Sequence, residues 1–163
     1  MKINIRYLPL KLSRSDKKKQ YKMLLKSRKL YKKGKYFTRK NLKSFKSKKS
    51  QHIINATKIY NVNKIGATNE LSKASGCSKK ALQKIINKGE GAYYSSGSRP
   101  NQRAQSWGIA RLASALTSGK ASVVDYDILK TGCKSNSKAL KLAKQTIKKY
   151  SRGLRKSPKV KVY

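Results

Sequence analysis

Residues 69–88 read NELSKASGCSKKALQKIINK. Leu82, Ile85 and Ile86 recur at three- and four-residue spacing in its second half, and Leu71 sits alone in its first. Apolar residues at that spacing line one face of a helix. A glycine followed by a serine marks the end of one helix and the cap of the next. Thr68 therefore caps a helix over 69–75 closed by Gly76, and Ser78 caps a second over 79–88 closed by Gly89. With Leu82 and Ile85 turned inward, Lys79, Lys80, Gln83 and Lys84 face outward.

The same signals recur on both sides. Ser13-Arg14-Ser15-Asp16 opens a helix whose stripe is Tyr21, Leu24, Leu25, Leu30 and Tyr31, with the Asp16 carboxylate placed for the first-turn amides and Gly34 as the stop. His52 to Tyr60 offers Ile53, Ile54, Ala56 and Ile59. Trp107, Ile109, Ala110, Leu112, Ala113 and Leu116 make the clearest stripe, ended by Gly119. Ser122 caps a short helix through Leu129 closed by Gly132, and a basic helix follows over 137–149. A polar loop, GEGAYYSSGSRPNQ, is expected at 89–102. The stretch KYFTRKNLKSFKSKKS at 35–50 has no sustained period and no acid, so it should be disordered alone and extended against a polyanion. No alternation of period two lasts long enough for a sheet, and 151–163 reads as irregular until Val160-Lys-Val162. One echo stands out: Gly76-Cys77-Ser78 before Lys80-Ala81-Leu82 resembles Gly132-Cys133 before Lys138-Ala139-Leu140.

The fold expected is mainly α, a small helical domain with a helix-turn-helix-like hairpin and basic extended N- and C-terminal arms. Charge sets the domain division. The 163 residues hold 43 basic and five acidic side chains, a net charge of +38. Residues 1–50 carry +19, residues 51–133 carry +8 and residues 134–163 carry +11. That pattern reads as a basic arm with one amphipathic helix, a helical core domain, and a basic C-terminal helix and tail. Such an excess recruits polyanions. Only nine of the basic residues are arginine, and lysine is a hydrated point charge, so phosphate neutralisation is indicated more than base reading.

Three constellations are candidates for function. The 69–88 segment resembles a helix-turn-helix, with Ser72 where that motif usually has alanine; Lys79, Lys80, Gln83 and Lys84 would then meet a groove, and a purely structural hairpin has the same form. The loop carries Ser95, Ser96, Ser98, Arg99, Asn101, Gln102 and Arg103 between aromatic residues, a set suited to phosphate oxygens and stacked bases. Its alternative is an Ω-loop whose polar side chains satisfy their own backbone. Lys46, Lys48 and Lys49 represent the arm. One histidine (His52) and five acids leave no acid/base pair or multi-histidine metal site, and Asp125 and Asp127 are expected to balance lysines. Two cysteines (Cys77, Cys133) make no disulfide framework and close no zinc site. No enzyme, cofactor, metal, signal peptide or membrane span is expected.

From KLYKKGKYFTRK (29–40) and KSFKSKKS (43–50) through GEGAYYSSGSRPNQ (89–102) to QSWGIARLASALTSGKASVVDYDIL (105–129), the chain resembles an uncharacterised small basic protein family of large eukaryotic DNA viruses, with relatives in tailed phages. The resemblance carries no activity and no site residues. It implies a viral source and a place in the virion, at the genome core or inner capsid face, after assembly in the host nucleus or cytoplasm. Arg103 stands where that family has threonine, which favours Arg99 over Arg103. The function expected is binding of nucleic acid, DNA favoured, by a non-enzymatic basic protein. The alternative is a minor capsid protein whose partners are other capsid proteins.

Overall fold

The computed structural model describes residues 1–150 and 157–162. It is mainly helical, as expected. Among the described residues the elements are β1 (Lys2–Asn4), α1 (Arg14–Tyr31), α2 (Gln51–Tyr60), α3 (Asn69–Ser75), α4 (Lys79–Ser95), α5 (Ala104–Leu116), α6 (Lys120–Val124), α7 (Tyr126–Gly132), α8 (Lys138–Lys149) and β2 (Lys159–Lys161). They fall into two compact units. Unit 1 comprises Met1–Lys48, Glu90–Trp107 and Arg155–Tyr163; unit 2 comprises Lys49–Gly89 and Gly108–Leu154.

Unit 2 holds the larger apolar core. Twenty buried residues cluster there, including Leu71, Leu82, Ile85, Leu112, Leu116, Leu129 and Leu140. Removing such surface from water is its main stabilisation, at roughly 25 cal/mol per Å². Side-chain caps start α3 and α8, whereas α2, α6 and α7 begin without one. Thr68 accepts a hydrogen bond from the Leu71 amide at the head of α3, and Ser137 accepts from Leu140 at the head of α8. The echo in the sequence has a structural meaning. The Ser78 amide donates to the Gly132 carbonyl and the Lys134 amide to the Gly76 carbonyl, both at 2.8 Å, making an antiparallel bridge between Cys77 and Cys133. The hairpins α3–α4 and α7–α8 thus meet turn to turn. Each glycine faces the start of the other hairpin's second helix. A Cβ on Gly76 would stand 2.6 Å from the Ser137 Cβ, and one on Gly132 would collide with Ala81.

Several expectations are corrected here. Cys77 and Cys133 form a disulfide, across a sequence separation of 56; only the pairing of the two turns brings them together. The second helix does not stop at Gly89, because α4 runs on to Ser95 and takes up the first part of the expected loop. Gly89 instead permits a close approach: a Cβ there would stand 2.6 Å from the Gly108 Cα. Ser122 caps nothing. It lies buried within α6, its hydroxyl donating to the Gly119 carbonyl at 2.6 Å, and Asp125 separates α6 from α7.

Residues 1–48 are packed into unit 1 and are no free arm. Its apolar cluster is small: Ile3, Leu8, Leu12, Leu24, Leu42 and Phe45, with Val162 packed against it. The strand β1 pairs antiparallel with β2 in the register Lys2↔Lys161, Ile3↔Val160 and Asn4↔Lys159. A two-stranded ribbon was not expected, since three residues per strand are too few for an alternating pattern to register. The divisions at 50/51 and 133/134 follow charge; packing follows the units. The tail expectation for 151–156 lies outside the described residues.

Candidate nucleic-acid interface

On α4, Leu82, Ile85 and Ile86 are buried while Lys79, Lys80, Gln83 and Lys84 are exposed. The side-chain amide of Gln83 donates to Asn87 at 2.8 Å, one turn on. The outward cationic face expected from the sequence is present in unit 2. Its counterpart on α8 was missed: Lys141, Lys144 and Lys148 are exposed there too. Lys138 donates to the Ile59 carbonyl at 3.0 Å and lies 6.0 Å from the Tyr60 ring centre. The helix itself is read from the sequence at 137–149, and the echo is the signal that pairs its outward face with that of α4. Beside the paired turns lies a cleft of about 310 Å³ lined by Ser72, Lys73, Cys77, Ser78 and Lys134, among others.

The loop residues divide into scaffold and surface. Asn101, at φ +62°, accepts a hydrogen bond from the Leu42 amide (2.6 Å) and donates to the carbonyls of Leu42 (3.1 Å) and Phe45 (2.7 Å). Ser98 is buried, accepts from Arg39 and donates to the Arg99 carbonyl, both at 2.8 Å. Gln102 accepts from the Ser106 hydroxyl at 2.8 Å. Ser98 and Asn101 tie the loop to other segments of unit 1 rather than to its own backbone alone, Asn101 clasping 42–45, while Gln102 bonds only the nearby Ser106. Ser95, Ser96, Arg99 and Arg103 remain exposed, as do Lys46 and Lys48 of unit 1 and Lys49 of unit 2.

Arg39 explains why 35–50 is ordered. It is buried, and its backbone amide donates to the Tyr93 hydroxyl at 2.9 Å. Its guanidinium donates to the Ser27 hydroxyl (3.1 Å), the Tyr93 carbonyl (2.8 Å) and the Ser98 hydroxyl, while lying 3.8 Å from the Tyr93 ring centre. A buried cation with this many acceptors and an aromatic face is satisfied without a carboxylate. Burial lowers the Arg39 pKa from its ordinary value.

Two of the five acids are committed inward. Asp16 accepts from the Ser44 amide (2.9 Å) and hydroxyl (2.7 Å), and these bonds hold its carboxyl below the usual range. The helix-capping role expected of Asp16 belongs to Ser13, which accepts from the Asp16 amide at 3.2 Å. Asp125 is fully buried. Burial alone would raise its pKa, but Arg111 (2.7 and 2.8 Å) and Lys88 (2.9 Å) hold it below the ordinary value. Asp125 therefore balances a lysine as expected, and an arginine besides. Unit 1 carries 25 basic and two acidic residues, +23; unit 2 carries 18 and three, +15. Among the described residues no group of three His, Cys, Asp or Glu side chains gathers as a metal site, and no helix is long and apolar enough to cross a membrane.

The chain belongs to a family of unknown function (DUF5824), whose family model matches residues 5–133. The match takes in α1 through α7 and both cysteines, and ends before α8. No curated protein and no solved structure matches the chain.

Proposed function

We propose that this protein binds nucleic acid, with DNA favoured, as a non-enzymatic component of a virus particle. One observation carries the reading: the cationic surface has almost no internal counter-charge. Two of the five carboxylates, Asp16 and Asp125, are buried and spent on Ser44, Arg111 and Lys88, so the outward lysines of both units must find their anions elsewhere. Lysine ammoniums on flexible stems neutralise phosphates without demanding a particular base. Counterion release then supplies the affinity. The viral setting rests on the resemblance of the SSGSRPNQ and SWGIARLAS segments and on nothing in the geometry. Capsid tethering by long free arms is the weaker reading, because residues 35–48 are packed into unit 1 through Arg39, Leu42 and Phe45.

The test is a salt titration of binding to duplex DNA. If about eight phosphates are neutralised, log K falls against log salt with a slope near −7, and base sequence matters little. A slope shallower than about −2 would overturn the proposal.

A further inference from the structure

The end of α1 and the end of α4 bring three tyrosines together on unit 1. Tyr31 is the last residue of α1. Gly34, at φ +70°, turns the chain, and the Lys35 amide closes back onto the Leu30 carbonyl at 2.9 Å, which returns Tyr36 to the side of Tyr31. Tyr94 comes from α4 and is pinned by its backbone: the Ser27 hydroxyl donates to its carbonyl at 3.0 Å, and its neighbour Tyr93 is buried against Arg39. The Tyr31 and Tyr94 rings lie nearly parallel, 9° apart with centroids separated by 6.2 Å. Tyr36 leans on both, at 6.2 Å from Tyr31 and 5.0 Å from Tyr94.

Tyr36 is 72% exposed despite these contacts. A large aromatic ring braced by two others yet facing solvent is not completing a core. Among the described residues the hydroxyls of Tyr31, Tyr36 and Tyr94 make no hydrogen bond, whereas those of Tyr60 and Tyr93 each do. Lysines outnumber acids beside the cluster in sequence: Lys29, Lys32, Lys33 and Lys35 are exposed, against the half-buried Glu90 one turn before Tyr94 on α4. Exposed aromatic faces among lysines suit a strand whose bases are unpaired, because a base can stack on a ring only when its own face is free while its phosphate meets an ammonium. A duplex hides those faces in its own stack.

We infer that Tyr36, braced by Tyr31 and Tyr94, is a stacking platform for the unpaired bases of single-stranded nucleic acid. The inference rests on the nucleic-acid reading above and adds to it a site and a strand preference. The experiment uses the full chain at one salt concentration with two probes, a 20-nucleotide oligothymidylate and a 20-base-pair duplex. Tyr36→Ala removes a solvent-facing ring and no charge. It should weaken oligothymidylate binding about tenfold, the scale of one lost base–aromatic stack, and leave duplex binding within about twofold. Tyr36→Phe keeps the ring and should restore the oligothymidylate affinity. Equal affinity of Tyr36→Ala and the parent chain for oligothymidylate would overturn the platform while leaving the nucleic-acid reading intact. An equal loss on both probes would also overturn it, since the ring would then serve the unit's structure. A parent chain that binds neither probe overturns both.

Discussion

Unit 2 surrounds twenty clustered apolar residues with six buried polar side chains, whereas unit 1 sets five, Asp16, Gln20, Ser27, Arg39 and Ser98, against an apolar cluster of only six. Unit 1 also carries the greater charge, +23 against +15 on fewer residues. A small core cannot offset strong self-repulsion by apolar burial alone. The difference is made up by directional bonds that tie distant segments: Arg39 to Ser27, Tyr93 and Ser98; Asn101 to Leu42 and Phe45; Asp16 to Ser44. Each net hydrogen bond contributes only about 1 kcal/mol, and more when a charge takes part, but losing one partner leaves the other buried and unsatisfied. Unit 1 should therefore be sensitive to single polar substitutions, and unit 2 to changes in its cross-link, core and ion pairs.

The largest expected effect belongs to unit 2. Reducing the disulfide, or making Cys133→Ser, frees the cross-link across 56 residues and should cost about 4 kcal/mol of unit 2 stability. Thermal unfolding followed by circular dichroism, with and without reductant, reads this; amides of unit 1 should keep their exchange protection. An equal loss in both units would remove the distinction between them.

Next in size is Asp125→Asn, which strands Arg111 and Lys88 beside a neutral group and should cost about 3 kcal/mol. The same carboxylate sets an acid limit. Its folded pKa lies below the ordinary 3.8 of the unfolded chain, so its stabilisation is full above that value and is lost as pH falls through the folded pKa. Asp16 has the same sign in unit 1. Urea midpoints measured from pH 7 down to pH 2 should fall in both units below about pH 4. Asp125→Asn should flatten the fall in unit 2 alone.

A smaller effect sharpens the contrast within unit 1. Asn101→Ala removes three hydrogen bonds and should cost about 2 kcal/mol, seen as easier protease cleavage within 35–48. Arg99→Ala removes an exposed charge and should leave stability within about 0.5 kcal/mol. If Arg99→Ala proves the more destabilising of the two, the division of the loop into scaffold and surface is wrong.

Unit 2 was largely legible in the sequence because its information is local. Caps at Thr68 and Ser78, a glycine turn at Gly76 and apolar spacing in α4 and α5 each act within a few residues. Even there, Gly89 was misread, since a helix stop and a close helix approach ask for the same residue. Unit 1 was hidden because its order is non-local. Nothing near Arg39 in the chain marks it as buried; its acceptors lie 12, 54 and 59 residues away. A run of lysines with no acid looks disordered until the partners of its few inward residues are known. The outward lysines of α4 were legible, whereas Ser98 and Asn101 were read as candidate binders because the same groups bind phosphate or backbone equally well.

The most direct measurement is amide hydrogen exchange on the free full-length chain, with no nucleic acid present. Slow exchange is expected at Arg39, Leu42 and Ser44, whose amides donate to Tyr93, Asn101 and Asp16, as part of a unit that opens together. Exchange of those three amides at unfolded-chain rates, with protection appearing only when DNA is added, would contradict this and return residues 35–50 to a free basic arm.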